Sequence, residues 1–188
     1  MISRRRFVTG AAAGAVLVLR PQRLSAQEGV FMKSEEAPRQ LFPDASEVTA
    51  RTVVATPALQ RRIFEILGRP PSVWEPAYPI FTLRRDDRLV GFVVIVEEIG
   101  KHRPITYAVG VNPAGTVHDL AVVAYREAYG GEVRERRFLK QYAGKALTAP
   151  LHAYQDIRNI SGATLSVEAT GRAARKAIAV LKATGDLP

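Results

Sequence analysis

A chain of 188 residues with 47% apolar and 24% charged residues has the composition of one ordinary globular domain, not of a disordered segment. It contains no cysteine, which excludes disulfides, thiolate metal sites, a thiol nucleophile and a flavin held through a cysteinyl thioether. The formal charge of +9 points towards nucleic acid only until it is located. Residues 1–26 hold five arginines and no acid, and without them 22 basic residues face 18 acidic ones, a net +4. That remainder is spread out with no basic stripe interleaved with aromatics, so nucleic acid is not an expected partner.

Ser3-Arg4-Arg5-Arg6-Phe7-Val8 resembles the twin-arginine export motif, an arginine pair followed by an apolar residue. Residues 9–19 are uncharged but too few to span a bilayer comfortably. Arg20 and Arg23 then precede Leu24-Ser25-Ala26, a small-residue cleavage site. The expected product is periplasmic, cut near Ala26, with no stable membrane span. A retained anchor or a basic tail is the alternative. With no cysteine to carry a lipid, the product is not a lipoprotein.

Residues 27–45 are polar and proline-bearing and read as a flexible leader to a domain over 46–188. From 46 to 68 the residues Val48, Val53, Val54, Leu59, Ile63, Ile66 and Leu67 are read as a helical pattern, with three- and four-residue steps from Leu59 to Ile66. Pro57 either divides this stretch or opens a second helix, and Gly68 before Pro70-Pro71 stops it.

The centre reads as strands. Residues 80–84 end at the Asp86-Asp87 turn, and 89–99 form a Val/Ile-rich run in which Gly91 marks a bulge. Residues 105–111 follow the corner His102-Arg103-Pro104. Asn112-Pro113-Ala114-Gly115 turns the chain into 117–126. Four successive strands with short turns imply an antiparallel sheet.

A short helix is expected over 135–142, ended by Gly144. A final helix over 166–184 carries the apolar stripe Val167, Thr170, Ala174, Ala177, Ile178 and Leu181, with Arg172, Arg175, Lys176 and Lys182 mainly elsewhere. The fold class is α+β, a central antiparallel sheet with flanking helices.

One segment carries chemistry. In Ser161-Gly162-Ala163-Thr164-Leu165-Ser166, small residues precede a threonine where the chain enters its last helix. Unpaired N–H groups and the dipole at a helix start favour an anion. Gly162 and Ala163 allow close approach to the main chain, and Ser161 and Ser166 offer hydroxyls to a phosphate. Read from the residues alone, a helix cap by Thr164 or Ser166 explains the segment as well.

This segment resembles the flavinylation motif of the FMN-binding domain family. That family includes the C subunit of the sodium-pumping NADH:quinone oxidoreductase and the G subunit of the Rnf complex. Residues 100–110, the run Arg126-Glu127-Ala128-Tyr129-Gly130-Gly131 and residues 138–145 are similar to further family segments, so the resemblance spans roughly 75–183. It implies FMN bound covalently by a phosphoester to Thr164, transferred from FAD by a flavin transferase. It also implies contacts from Ser161, Gly162, Ala163, Leu165, Ser166, Glu127, Tyr129, Gly130 and Gly131. Where many members have an acidic residue just before the motif, Arg158-Asn159 stand here and Asp156 is displaced.

A threonine hydroxyl is a weak nucleophile and needs a base, and no histidine or adjacent carboxylate in the motif is placed to serve. The base is therefore expected from the transferase, and this chain is its substrate. No Gly-x-Gly-x-x-Gly run for a nicotinamide nucleotide is present, so the implied role is an electron carrier between a periplasmic or membrane donor and acceptor. The alternatives are a non-redox binding or accessory module of the same fold, and an enzyme reducing a small substrate on its own flavin. His102, His118 and His152 lack ligand spacing, so no metal is expected. Trp74 and Tyr78 read as packing residues that are also able to shield a flavin, and Glu127 as either a flavin partner, a brace for its turn or a solvated carboxylate.

Overall fold

The computed structural model describes residues 29–188; the segment read as an export signal, with its cleavage site, lies outside them. Six strands form one antiparallel sheet in the order β1-β6-β5-β4-β3-β2. They are β1 (Gly29–Val30), β2 (Glu47–Val54), β3 (Ala77–Arg85), β4 (Arg88–Ile99), β5 (Pro104–Val111) and β6 (Val117–Tyr125). The helices are α1 (Ala37–Leu41), α2 (Pro57–Leu67), α3 (Arg136–Leu139) and α4 (Thr164–Thr184). The α+β expectation holds, including a C-terminal helix that follows the motif loop.

The sheet is covered on both sides, which explains the unbroken apolar run of β4. Its side chains alternate between two cores. Phe92, Val94 and Val96 join the larger one with Tyr107, Val109, Leu120 and the inner face of α4. Val93 and Ile95 face a smaller core with Phe81, Leu83, Ala108, Ala121 and Val123.

That second core corrects the reading of the leader. Residues 29–45 are built into the fold: β1 pairs with β6, and α1 lays buried Ala37, Leu41 and Phe42 on the second sheet face. The helix is five residues long with Pro38 in its first turn, too short to produce a helical period.

A second correction concerns residues 47–54, which are strand rather than helix. β2 is rich in β-branched residues and pairs with β3 from Glu47↔Arg84 to Val54↔Ala77. Only Val48 and Val53 are sheltered, five residues apart and packed against different cores, so the strand shows no apolar alternation. The helix begins only at Pro57. Thr56 Oγ1 accepts the Leu59 N–H at 3.2 Å, and Gly68 closes the helix at φ +70.

The bulge in β4 is real. Leu83 pairs with Gly91 and Arg84 with Leu89, which leaves Val90 as the extra residue. A Cβ on Gly91 would enter the Phe42 ring and approach the Val111 carbonyl to 2.8 Å, so the glycine makes room for α1.

The last helix corrects one side chain. Lys176, expected off the apolar stripe, is fully buried. Its Nζ lies 2.6 Å from Glu75 Oε2 and donates to the carbonyls of Val73 (2.6 Å) and Glu97 (3.0 Å). Burial pushes the Glu75 carboxyl above its ordinary value even with this cation beside it. The loop before β3 is thereby tied to α4.

Candidate functional site

Three segments meet at one end of the sheet: the β4–β5 turn, the chain leaving β6 and the start of α4. Between them lies a cleft of ≈ 410 Å³ lined by Lys101 and His102, by Glu127, Ala128 and Tyr129, and by residues 162–166. Thr164 is half-buried in this lining and is the first residue of α4.

The helix start is fixed from beneath by buried tyrosines. The Tyr125 hydroxyl donates to the Tyr129 carbonyl and lies 2.9 Å from Ser166 Oγ. A phenol has one hydrogen, so Ser166 donates here. One turn on, Thr170 Oγ1 donates to the Ser166 carbonyl at 2.8 Å and meets the Tyr107 hydroxyl at 3.2 Å. Tyr142 donates to the Val167 carbonyl at 3.2 Å. The first two turns of α4 therefore have a set position.

Ala163 is the N-cap, and no side chain caps the helix. The capping alternative is thus removed for both candidates. Thr164 Oγ1 accepts from Asn159 Nδ2 at 2.9 Å, while the Ser166 hydroxyl is held by Tyr125. The first N–H groups of a helix have no intrahelical partner, so an uncapped start gives donors and a positive dipole end to an anion.

The glycines divide their work. Gly162 has φ +80, and a Cβ there would meet nothing within 4 Å, so its need is conformational. At Gly130, with φ +85, a Cβ would lie 2.8 Å from Ser166 Oγ, 2.9 Å from the Tyr125 hydroxyl and 3.2 Å from Ala163 Cβ. Gly130 therefore lets the β6 exit pack on α4 from behind. Gly130 and Gly131 are both buried there, outside the lining of the cleft.

Glu127 braces the opposite wall. Its Oε1 accepts the N–H groups of Lys101 (2.5 Å), His102 (2.5 Å) and Arg103 (2.9 Å), which orders the β4–β5 turn. Burial alone would raise its pKa; the three N–H bonds outweigh that and hold the carboxyl below the usual range. Exposed Lys101 and His102 are left facing the cleft. Tyr129 and Leu165, 68% and 50% exposed, supply its apolar rim.

The sequence model of the FMN-binding domain family matches residues 100–179, a span containing every residue of this lining. Over those residues the chain is similar to the FMN-binding domain, which supports a flavin-binding protein. No curated protein matches the chain in sequence.

The geometry fits the cofactor. The volume is that of a small-molecule site, the uncapped start of α4 suits the phosphate, and Tyr129 with Leu165 offers the ring apolar surface. Lys101 adds a cation to the same wall.

The residues read from the motif and from Glu127-Ala128-Tyr129 do come together in the cleft, although Ser161 is exposed and lies outside the lining. Tyr78 is buried in the larger core, and Trp74 lies outside the cleft. His118 stacks on Phe42 at 4.1 Å between ring centroids, and His152 Nδ1 pairs with Glu168 Oε2 at 2.6 Å. Those two therefore serve the scaffold, and His102 alone of the three reaches the cleft.

Sequence reasoning missed Asn159 and Tyr154. Asn159 Nδ2 donates to the Tyr154 hydroxyl at 2.6 Å as well as to Thr164. No pattern marks this pair; only the fold of the loop joins them.

Proposed function

We propose that this protein is exported and carries FMN on Thr164 through a phosphoester, and that it serves as a periplasmic electron carrier. The observation that supports the reading most is the position of Thr164. Its hydroxyl stands at the uncapped start of α4, in a cleft that lies wholly within the family match. When bound, the flavin would supply the redox chemistry. The chain's residues would do the holding: the N–H groups of the first turn of α4 for the phosphate, Tyr129 and Leu165 for the ring, and Lys101 for negative charge.

Attachment needs a separate enzyme in this reading. Among the described residues no base is bonded to the Thr164 hydroxyl, whose partner there is an amide donor. A flavin transferase using FAD would supply that base and release AMP. Export accords with this, because the arginine-led N-terminus and the motif both belong to a protein acting outside the cytoplasm. A membrane or periplasmic donor and acceptor complete the role. No helix of the described residues is long and apolar enough to cross a membrane.

Intact-mass analysis after co-expression with a flavin transferase tests the reading. The expected result is one added FMN that survives denaturation and disappears in Thr164→Val. An unmodified wild-type mass beside a transferase active on another acceptor would overturn it.

A further inference from the structure

Asn159 has an unusual hydrogen-bond pattern. Both amide hydrogens are engaged, one by the Tyr154 hydroxyl at 2.6 Å and one by Thr164 Oγ1 at 2.9 Å, while its Oδ1 is buried without a partner among the described residues. A buried acceptor left unmatched is unfavourable, and side chains normally rotate to avoid it. Here both amide hydrogens point to one side, towards two hydroxyl oxygens.

The residue at the far end of this pair is itself held in a sparsely populated conformation. Tyr154 has φ +64 and is 78% exposed. Its loop is pinned at several points. Tyr154 N–H donates to the Ile157 carbonyl at 3.0 Å, Asp156 Oδ1 accepts the His152 N–H at 3.1 Å, and Lys145 pairs with Asp156 at 2.9 Å. Backbone strain of this kind persists where the surroundings over-determine it, and it concentrates at working sites. An exposed tyrosine gains little for the fold by bonding an amide, so the arrangement asks for another purpose.

We propose that Asn159, backed by Tyr154, is a positioning residue that sets the Thr164 hydroxyl for flavin transfer. The inference rests on Thr164 being the FMN acceptor. In that reaction Thr164 Oγ forms a bond to the phosphorus of the FMN half of FAD. The pyrophosphate P–O bond breaks, AMP leaves with the bridging oxygen, and the Oγ proton passes to a base on the transferase. In-line attack requires a lone pair aimed at phosphorus. A threonine free to rotate about χ1 presents that lone pair only part of the time. The amide hydrogen of Asn159 occupies one lone pair and leaves the other, with the hydroxyl hydrogen, bonded to nothing else among the described residues. The helix fixes the Thr164 backbone, and Asn159 fixes its side chain.

The experiment follows FMN addition to purified full-length acceptor by intact mass, with flavin transferase and FAD, across acceptor concentration and pH. Asn159→Ala is expected to transfer about 10-fold to 100-fold more slowly at saturating acceptor. The half-saturating concentration and the thermal melt should stay near wild type. Tyr154→Phe should lie between the two. Asn159→Asp replaces the donor by a carboxylate that accepts from the hydroxyl, so its rate should gain an acid limb that wild type lacks. If wild type is modified and Asn159→Ala keeps pace at every concentration, the proposal falls while the acceptor role stands. If wild type itself is never modified, the acceptor reading fails first, and the proposal with it.

Discussion

The hydroxyls of Tyr125 and Ser166 meet at 2.9 Å, which joins the end of β6 to the turn of α4 that Thr164 opens. Because Tyr125 also donates to the Tyr129 carbonyl, one phenol sets both walls of the cleft. Tyr125→Phe removes both bonds and leaves the buried Ser166 hydroxyl and that carbonyl unmatched. The expected loss is about 1–3 kcal/mol, or a fall in Tm of roughly 3–9 °C for a chain of this size. Calorimetry of the two proteins checks it, and equal melting temperatures would remove Tyr125 from its structural role.

Gly130 and Gly162 provide a paired test of the account given for each. Both have positive φ, so alanine at either should lose about 1–2 kcal/mol for the left-handed backbone. At Gly130 the new methyl also strikes Ser166, Tyr125 and Ala163, which adds about 1–3 kcal/mol of overpacking. Gly130→Ala should therefore unfold at clearly lower denaturant than Gly162→Ala. Equal midpoints would mean that the close approach of β6 to α4 is not rigid.

How much of this the sequence disclosed depended on whether a local pattern carried it. β4 was legible because an eight-residue apolar run rich in Val and Ile lies between turn signals, and α4 because its buried stripe repeats along the helix. β2 was misread since an edge strand buries little and shows no strict alternation. α1 went unseen because its partners, Phe81, Val93 and Ala121, come from distant strands. The site divided in the same way. Thr164 stands in a contiguous motif, whereas Lys101, His102 and Asn159 join it only through the fold. Lys176 looked like surface charge because its counterion Glu75 is 101 positions earlier in the chain.

Glu127 gives a pH dependence with a definite sign. Its folded-state pKa lies below the ordinary value of 4.5. Its contribution is therefore complete above the unfolded pKa and is lost as pH falls through the folded one. Glu127→Gln should be less stable than wild type at neutral pH, with the difference shrinking as acidification proceeds below about pH 4.5. Denaturant melts at pH 7 and at successive acid steps measure this. A gap that stays constant down to pH 2.5 would contradict the assignment.

Lys176 is a fully buried cation beside Glu75 and Glu98, 2.6 and 3.8 Å away. Replacing it with methionine leaves those carboxylates without that compensation and its two carbonyl partners without a donor. Arg172, at 3.1 Å, still serves Glu98. The expected loss for Lys176→Met is about 3–5 kcal/mol. Adding Glu75→Gln should recover part of it, because a neutral amide removes the charge that burial already disfavours. A double variant as unstable as the sum of both single variants would show that the ion pair does not couple these residues.

Lys101 lies in the cleft wall opposite Thr164, on the turn that Glu127 holds. Were FMN held on Thr164 as proposed, the positive charge of Lys101 would favour electron uptake, since reduction adds negative charge to the flavin. Lys101→Glu changes the local charge by two units without touching the backbone bonds to Glu127. For an exposed position in a water-like dielectric the shift in midpoint potential should be on the order of tens of millivolts, towards more negative values, and should shrink as salt is added. His102→Gln, which reverses no charge, should change the potential less. Spectroelectrochemical titration of the three proteins at low and high ionic strength measures both effects. A Lys101→Glu potential equal to wild type at low salt would place the flavin ring away from this wall, against the other rim at Leu165.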